Sequence, residues 1–164
     1  MVQLTTIIES LRNELQQYGE MLALLDHQQE LVRMCGSEDI LNSITAINTQ
    51  SQQIQTARER REAFQQELAQ TLGQADDATF AELLPLLPDH YRPLISALVE
   101  ENNQLLERVR ERALENQAML RRSVELMQRF ITTLSAESDT PEADSSDTTL
   151  LMIEPSSCLY EAIV

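Results

Sequence analysis

The side chains able to do chemistry in this chain are few and scattered. His27 and His90 lie far apart, and neither has a Glu three residues before it. The Glu-x-x-His pairs that hold di-iron centres in helical bundles are therefore missing. Each histidine follows an aspartate, Asp26 and Asp89, but adjacent residues on a helix point in different directions and make no acid–base pair. Cys35 and Cys158 belong to no CxxC and no Cys/His cluster, so neither a zinc site nor a disulfide framework is suggested. There is no Walker loop, no dinucleotide glycine motif, no nucleophile elbow and no metal-ligand spacing. The expectation is a protein without catalytic, cofactor-binding or metal-binding residues, and not an enzyme.

The arginines offer recognition instead of catalysis. Arg58, Arg60 and Arg61 form one group and Arg108, Arg110 and Arg112 another. Either could meet an acidic partner, yet Glu107, Glu111 and Glu115 stand at helical spacing to pair with the second group. A solvated, salt-bridged face is the expected role. Met119 and Met127 suit an adaptable interface as well as a core.

The elements that must carry these residues are helices. Leu, Gln, Glu, Ala and Arg dominate, aromatic residues make up 4% and there is no Trp, a vocabulary for long helices and a poor filling for a β-sandwich. A length of 164 residues allows one domain with a modest core. The net charge is −15, and all twelve basic residues are Arg at or before Arg129. Residues 135–164 hold seven acidic residues and no basic one. Such a balance argues against nucleic acid and anionic membrane, which need a basic face. The N-terminus, Met1-Val2-Gln3-Leu4-Thr5-Thr6-Ile7-Ile8-Glu9, lacks a basic n-region, and no apolar run has membrane-spanning length. A cytoplasmic location without membrane insertion is expected.

Along the chain the apolar spacing predicts three long helices. The first, residues 2 to about 34, runs in a 4-3 rhythm through Leu4, Ile8, Leu11, Leu15, Tyr18, Leu22, Leu25, Gln29 and Val32. Gly36 is a stop, and Ser37 a cap for the second helix, with Glu38 and Asp39 against its dipole. That helix, about 38–72, has a more polar seam of Ile40, Ile44, Ile47, Ser51, Ile54, Arg58, Arg61, Gln65, Leu68 and Leu72, and Gly73 ends it. A short helical piece at 78–84 is then punctuated by Pro85 and Pro88, with Asp89 as the next cap. This Leu-rich knuckle is expected to pack across the ends of the long helices. The third long helix, about 90–134, would be roughly 65 Å long, so one end outreaches the others and residues 115–134 become surface for another protein. The predicted architecture is all-α, an antiparallel bundle of three long helices with a short Pro-punctuated helix between the second and third. Residues 1–134 form this domain. Residues 135–164 read as a disordered acidic tail, ending in the apolar residues Leu150-Leu151-Met152-Ile153, Leu159-Tyr160 and Ala162-Ile163-Val164.

Four segments resemble the FlgN family over about residues 1–134. They are the joint Leu83-Leu84-Pro85-Leu86-Leu87-Pro88-Asp89-His90-Tyr91-Arg92-Pro93-Leu94-Ile95, the Asn-bearing stretch Asn116-Gln117-Ala118-Met119-Leu120-Arg121-Arg122-Ser123-Val124-Glu125-Leu126-Met127, the opening Tyr18-Gly19-Glu20-Met21-Leu22-Ala23-Leu24-Leu25-Asp26-His27-Gln28-Gln29, and Ala57-Arg58-Glu59-Arg60-Arg61. The resemblance implies a cytoplasmic flagellar type III export chaperone. Its partners would be hook-associated proteins and the cytoplasmic domain of the membrane export gate. Cargo contact is expected at Asn116, Leu120, Val124, Met127 and Phe130. In the family a Tyr after the last long helix contributes to gate contact, which points here to Tyr160, preceded by Leu159 and followed by Glu161 where relatives often carry Gly. A weak homodimer is compatible with this reading. Without the resemblance, the first reading of the residues is a self-associating coiled-coil scaffold or tether, with a regulator that sequesters another factor as the second.

Overall fold

The computed structural model describes residues 2–34 and 37–137. Helix α1 spans Val2–Met34, α2 Ser37–Thr71, α3 Phe80–Leu83, and α4 Arg92–Glu137, with a 3-10 turn Leu84–Leu86 following α3. No strand occurs among the described residues. Gly36, the expected stop of α1, and residues 138–164 of the expected acidic tail lie outside the described residues. Residues 135–137, expected to belong to that tail, instead continue the last helix, because the i to i−4 backbone ladder runs on through Ser135 and Glu137.

The helix ends follow from local chemistry. Glu38 and Asp39 occupy the first turn of α2, where partial positive charge favours acids. Gly73 closes α2 with φ of 70°, a left-handed conformation costly for residues with a Cβ. The Gly73 N–H donates to the Gln70 carbonyl at 3.1 Å and the Gln74 N–H to that of Ala69 at 2.9 Å, which satisfies two otherwise orphaned carbonyls. At α3 the Glu82 carboxylate accepts from both the N–H (2.7 Å) and the hydroxyl (2.9 Å) of Thr79. Those bonds, the backbone one first, hold its pKa below the usual carboxylate value. The start of α4 differs from expectation. Asp89 pairs with Arg92 at 2.8 Å, and the helix begins at Arg92 with Pro93 in its first turn.

Helix α1 is the shared element, packed along both α2 and α4. The α1–α2 pair is antiparallel: Gln3 donates to Glu67 and Thr71, Gln50 to the carbonyl of Gln17, and Gln28 to Ser43. The α1–α4 pair is parallel, because Asn102 bonds to Leu11 and Asn116 to Leu25. Ala78, Leu83 and Leu87 of the joint join Leu4, Ile7, Leu11, Leu68, Ile95 and Leu98 in one buried cluster. The knuckle thus seals the end where α1 and α4 start and α2 finishes. Arg92 holds it there, its guanidinium donating to the carbonyls of Leu87 and Pro85, each at 2.7 Å. A second cluster, with Tyr18, Met21, Leu25, Ile47, Ile54, Val109 and Ala113, fills the middle. Leu68, Ile54 and Ile47 of the predicted α2 seam are buried in these clusters.

Candidate functional site

Two polar devices fix how α4 lies on α1. In the first, Asn102 Nδ2 donates to the Leu11 carbonyl at 3.0 Å and to that of Leu98 at 2.8 Å. In the second, Asn116 Nδ2 donates to the Leu25 carbonyl at 2.7 Å and to Gln28 Oε1 at 3.1 Å. Gln28 in turn donates to Ser43 Oγ at 3.2 Å, so one buried relay ties α1, α2 and α4 together. The two asparagines are two heptads apart, and so are their acceptors. A one-residue slip would break both sets at once, the register-fixing use of a seam asparagine. Each keeps a buried Oδ1 without a hydrogen-bond partner, a cost that apolar residues would not carry.

A charged device sits between the two apolar clusters. Glu14, buried on α1, accepts from the Tyr18 hydroxyl at 2.8 Å and from Arg61 Nε of α2 at 2.8 Å. Burial pushes the Tyr18 phenol well above its ordinary pKa, and the Glu14 charge and hydrogen bond push it further. The two arginine groups do more than pair along their own helices. Arg61 reaches Glu14, and Arg112 reaches Asp26 at 2.7 Å and Gln29 at 2.9 Å while also contacting Glu115. Both are clamps between helices, a role that spacing along one helix does not reveal.

Beyond Asn116 the helix loses its support. Counting equal steps onward from Leu25 and from Asn116 brings Met34, the last residue of α1, level with Glu125. Some twelve residues of α4, about 18 Å, continue past that point. Their apolar side chains Leu126, Met127, Phe130, Ile131 and Leu134 are exposed, with Phe130 at 67%, as is Val124 just before them. At about 100° per residue, Leu120, Val124, Met127 and Ile131 fall in one narrow stripe with Phe130 on its flank. Met34 and Leu41, also exposed, lie at the same end. Contiguous apolar surface of this kind is unusual on the exterior of a monomeric protein.

The expected cargo residues therefore divide. Leu120 is half-buried, and Val124, Met127 and Phe130 share the exposed face. Asn116 is fully buried beneath α1 and is not part of that face; it anchors the point where the free segment begins. Leu159 and Tyr160 lie outside the described residues. Gln28 and Ser43, the other members of the relay, went unmarked in the sequence. Their signal would have been polar residues recurring at inward-facing positions. His27 and His90 are exposed, and the His90 ring lies 4.2 Å from that of Tyr91. Among the described residues no group of His, Cys, Asp and Glu is placed to hold a metal ion, and no helix is long and apolar enough to cross a membrane.

No curated protein and no solved structure matches the chain. A family model described as FlgN protein matches residues 1–143, covering all three long helices and the joint. This chain, with its proline-punctuated joint and its long final helix, belongs to the FlgN family, a family of flagellar export chaperones and not of enzymes.

Proposed function

We propose that the chain works in the cytoplasm, binding hook-associated subunits of the flagellum, preventing their premature assembly and delivering them to the type III export gate. The observation that carries this reading is the free segment of α4, an apolar helical face projecting past the body that anchors it. Junction subunits that hold terminal helical segments in reserve expose apolar stripes of their own. Pairing such a stripe with Leu120, Val124, Met127 and Phe130 removes both from water, worth about 1.5–3 kcal/mol for each large side chain fully buried. Asn116 contributes by keeping the base of the segment rigid. Gate docking falls to Leu159 and Tyr160, joined to the body by an acidic linker long enough for cargo and gate to be engaged together.

Calorimetric titration of the full chain and of a 1–137 truncation against terminal segments of hook-associated subunits tests the reading. Saturable one-to-one binding by both is expected, with gate binding lost only in the truncation. A folded protein that gives no heat with any such segment would point to a self-associating scaffold.

A further inference from the structure

The free face of α4 differs in charge from the rest of the molecule. The chain carries −15 overall, yet residues 118–134 hold Arg121, Arg122 and Arg129 against the single acid Glu125. All three arginines are exposed. At about 100° per residue Arg121 borders one edge of the apolar arc, where it also pairs with Glu125 at 3.9 Å, and Arg122 and Arg129 lie close together behind it. An occupant suited to this surface brings apolar side chains flanked by acids. A second copy would set this basic segment against its twin, and like charges across an interface are costly.

The chain itself contains a segment of the required kind. Residues 138–149 carry Asp139, Glu142, Asp144 and Asp147 with no basic residue, and Leu150-Leu151-Met152-Ile153 follow directly. The distances fit. From Glu137 back to Val124 is about 20 Å along the helix. At random-coil dimensions twelve residues have a root-mean-square span of about 20 Å. A tether matched to its span gives an effective concentration on the order of millimolar, enough to half-populate a contact whose own dissociation constant is millimolar.

We infer that Leu150-Leu151-Met152-Ile153 dock within the same molecule on the Val124, Met127, Phe130 and Ile131 face of α4, with the acidic linker lying against Arg121, Arg122 and Arg129. The contact shields the apolar helix when no cargo is bound. On the cargo reading proposed above, arriving cargo displaces this segment, so the distal residues Leu159 and Tyr160 are released as cargo loads. Loading and gate docking are then coupled through one shared surface.

The test places a spin label on Cys158 of the full chain carrying Cys35→Ser, and reads paramagnetic broadening of amide and methyl signals without any partner. Broadening concentrated at residues 120–134, and removed by Leu150→Asp with Leu151→Asp, is the expected result. Uniform or absent broadening overturns the inference, as does broadening that survives the double substitution. So does broadening that appears only between labelled and unlabelled chains, which would make a second copy the occupant. The same double variant should bind a hook-associated segment at least two-fold more tightly than the parent. Broadening at 120–134 with no heat from either protein would retain the docking and discard the cargo reading.

Discussion

The two ends of the molecule are built on opposite terms. At one end α3, the 3-10 turn and Arg92 fold a Leu-rich joint over three helix termini, so that Leu83, Leu87 and Ile95 are wholly or almost wholly buried. At the other end α4 runs on past Met34 with Leu126, Met127, Phe130 and Ile131 in solvent. Both ends are rich in apolar residues, so hydrophobicity alone does not distinguish stability from binding. What separates them is whether another element of the chain reaches the same height. The joint supplies such an element at the closed end; nothing among the described residues does so at the open one.

Substitutions at the two ends should therefore move different observables. Leu83→Ala empties a fully buried site and is expected to cost about 3 kcal/mol, read as a lower midpoint in urea unfolding. Arg61→Ala strands Glu14 in the interior without its cation, a loss of about 3 kcal/mol by the same measurement. Asn116→Ala leaves Gln28 Oε1 without its Asn116 donor and should cost about 2 kcal/mol. That variant also sharpens the comparison, because hydrogen exchange should quicken around residues 116–125 and remain slow at the joint.

A smaller effect comes from pH. Tyr18 has a folded-state pKa raised above its unfolded value, so its contribution is fully present below pH of about 10 and is lost as pH climbs past that point. Tyr18→Phe should flatten the alkaline fall in thermal midpoint while leaving neutral-pH behaviour close to the parent. The smallest stability change is expected at the open end, where Phe130→Ser should shift unfolding by less than about 0.5 kcal/mol.

Much of this contrast is legible in the sequence, for physical reasons. Apolar spacing along α1 and α4 reports which face is buried, because a 4-3 rhythm keeps one stripe against a neighbour. The prolines at 85 and 88 forbid a continuous helix, which identifies the joint. Gly73 reports a left-handed turn. The free segment follows from length alone, since a helix longer than its partners must outrun them. What periodicity cannot report is which polar residue finds a buried partner on another helix. Gln28, Ser43 and Arg92 look like ordinary helix-surface residues until the three helices are placed together. Asn116 shows the same limit in reverse. Its place beside an apolar, Met-bearing stretch suggests surface, yet its amide is spent on α1 and Gln28.

The most direct test of the central claim compares three full-length proteins for affinity to a hook-associated terminal segment: the parent, Met127→Ala with Phe130→Ala, and Leu114→Ala. Leu114 is an exposed apolar residue of the same helix, lying below the free segment. The account predicts a loss of about 100-fold or more for the double variant, from two truncated anchors at about 1.4 kcal/mol or more each. Thermal midpoint should be unchanged, and Leu114→Ala should bind as the parent does. Parental affinity in the double variant, or an equal loss from Leu114→Ala, would contradict it.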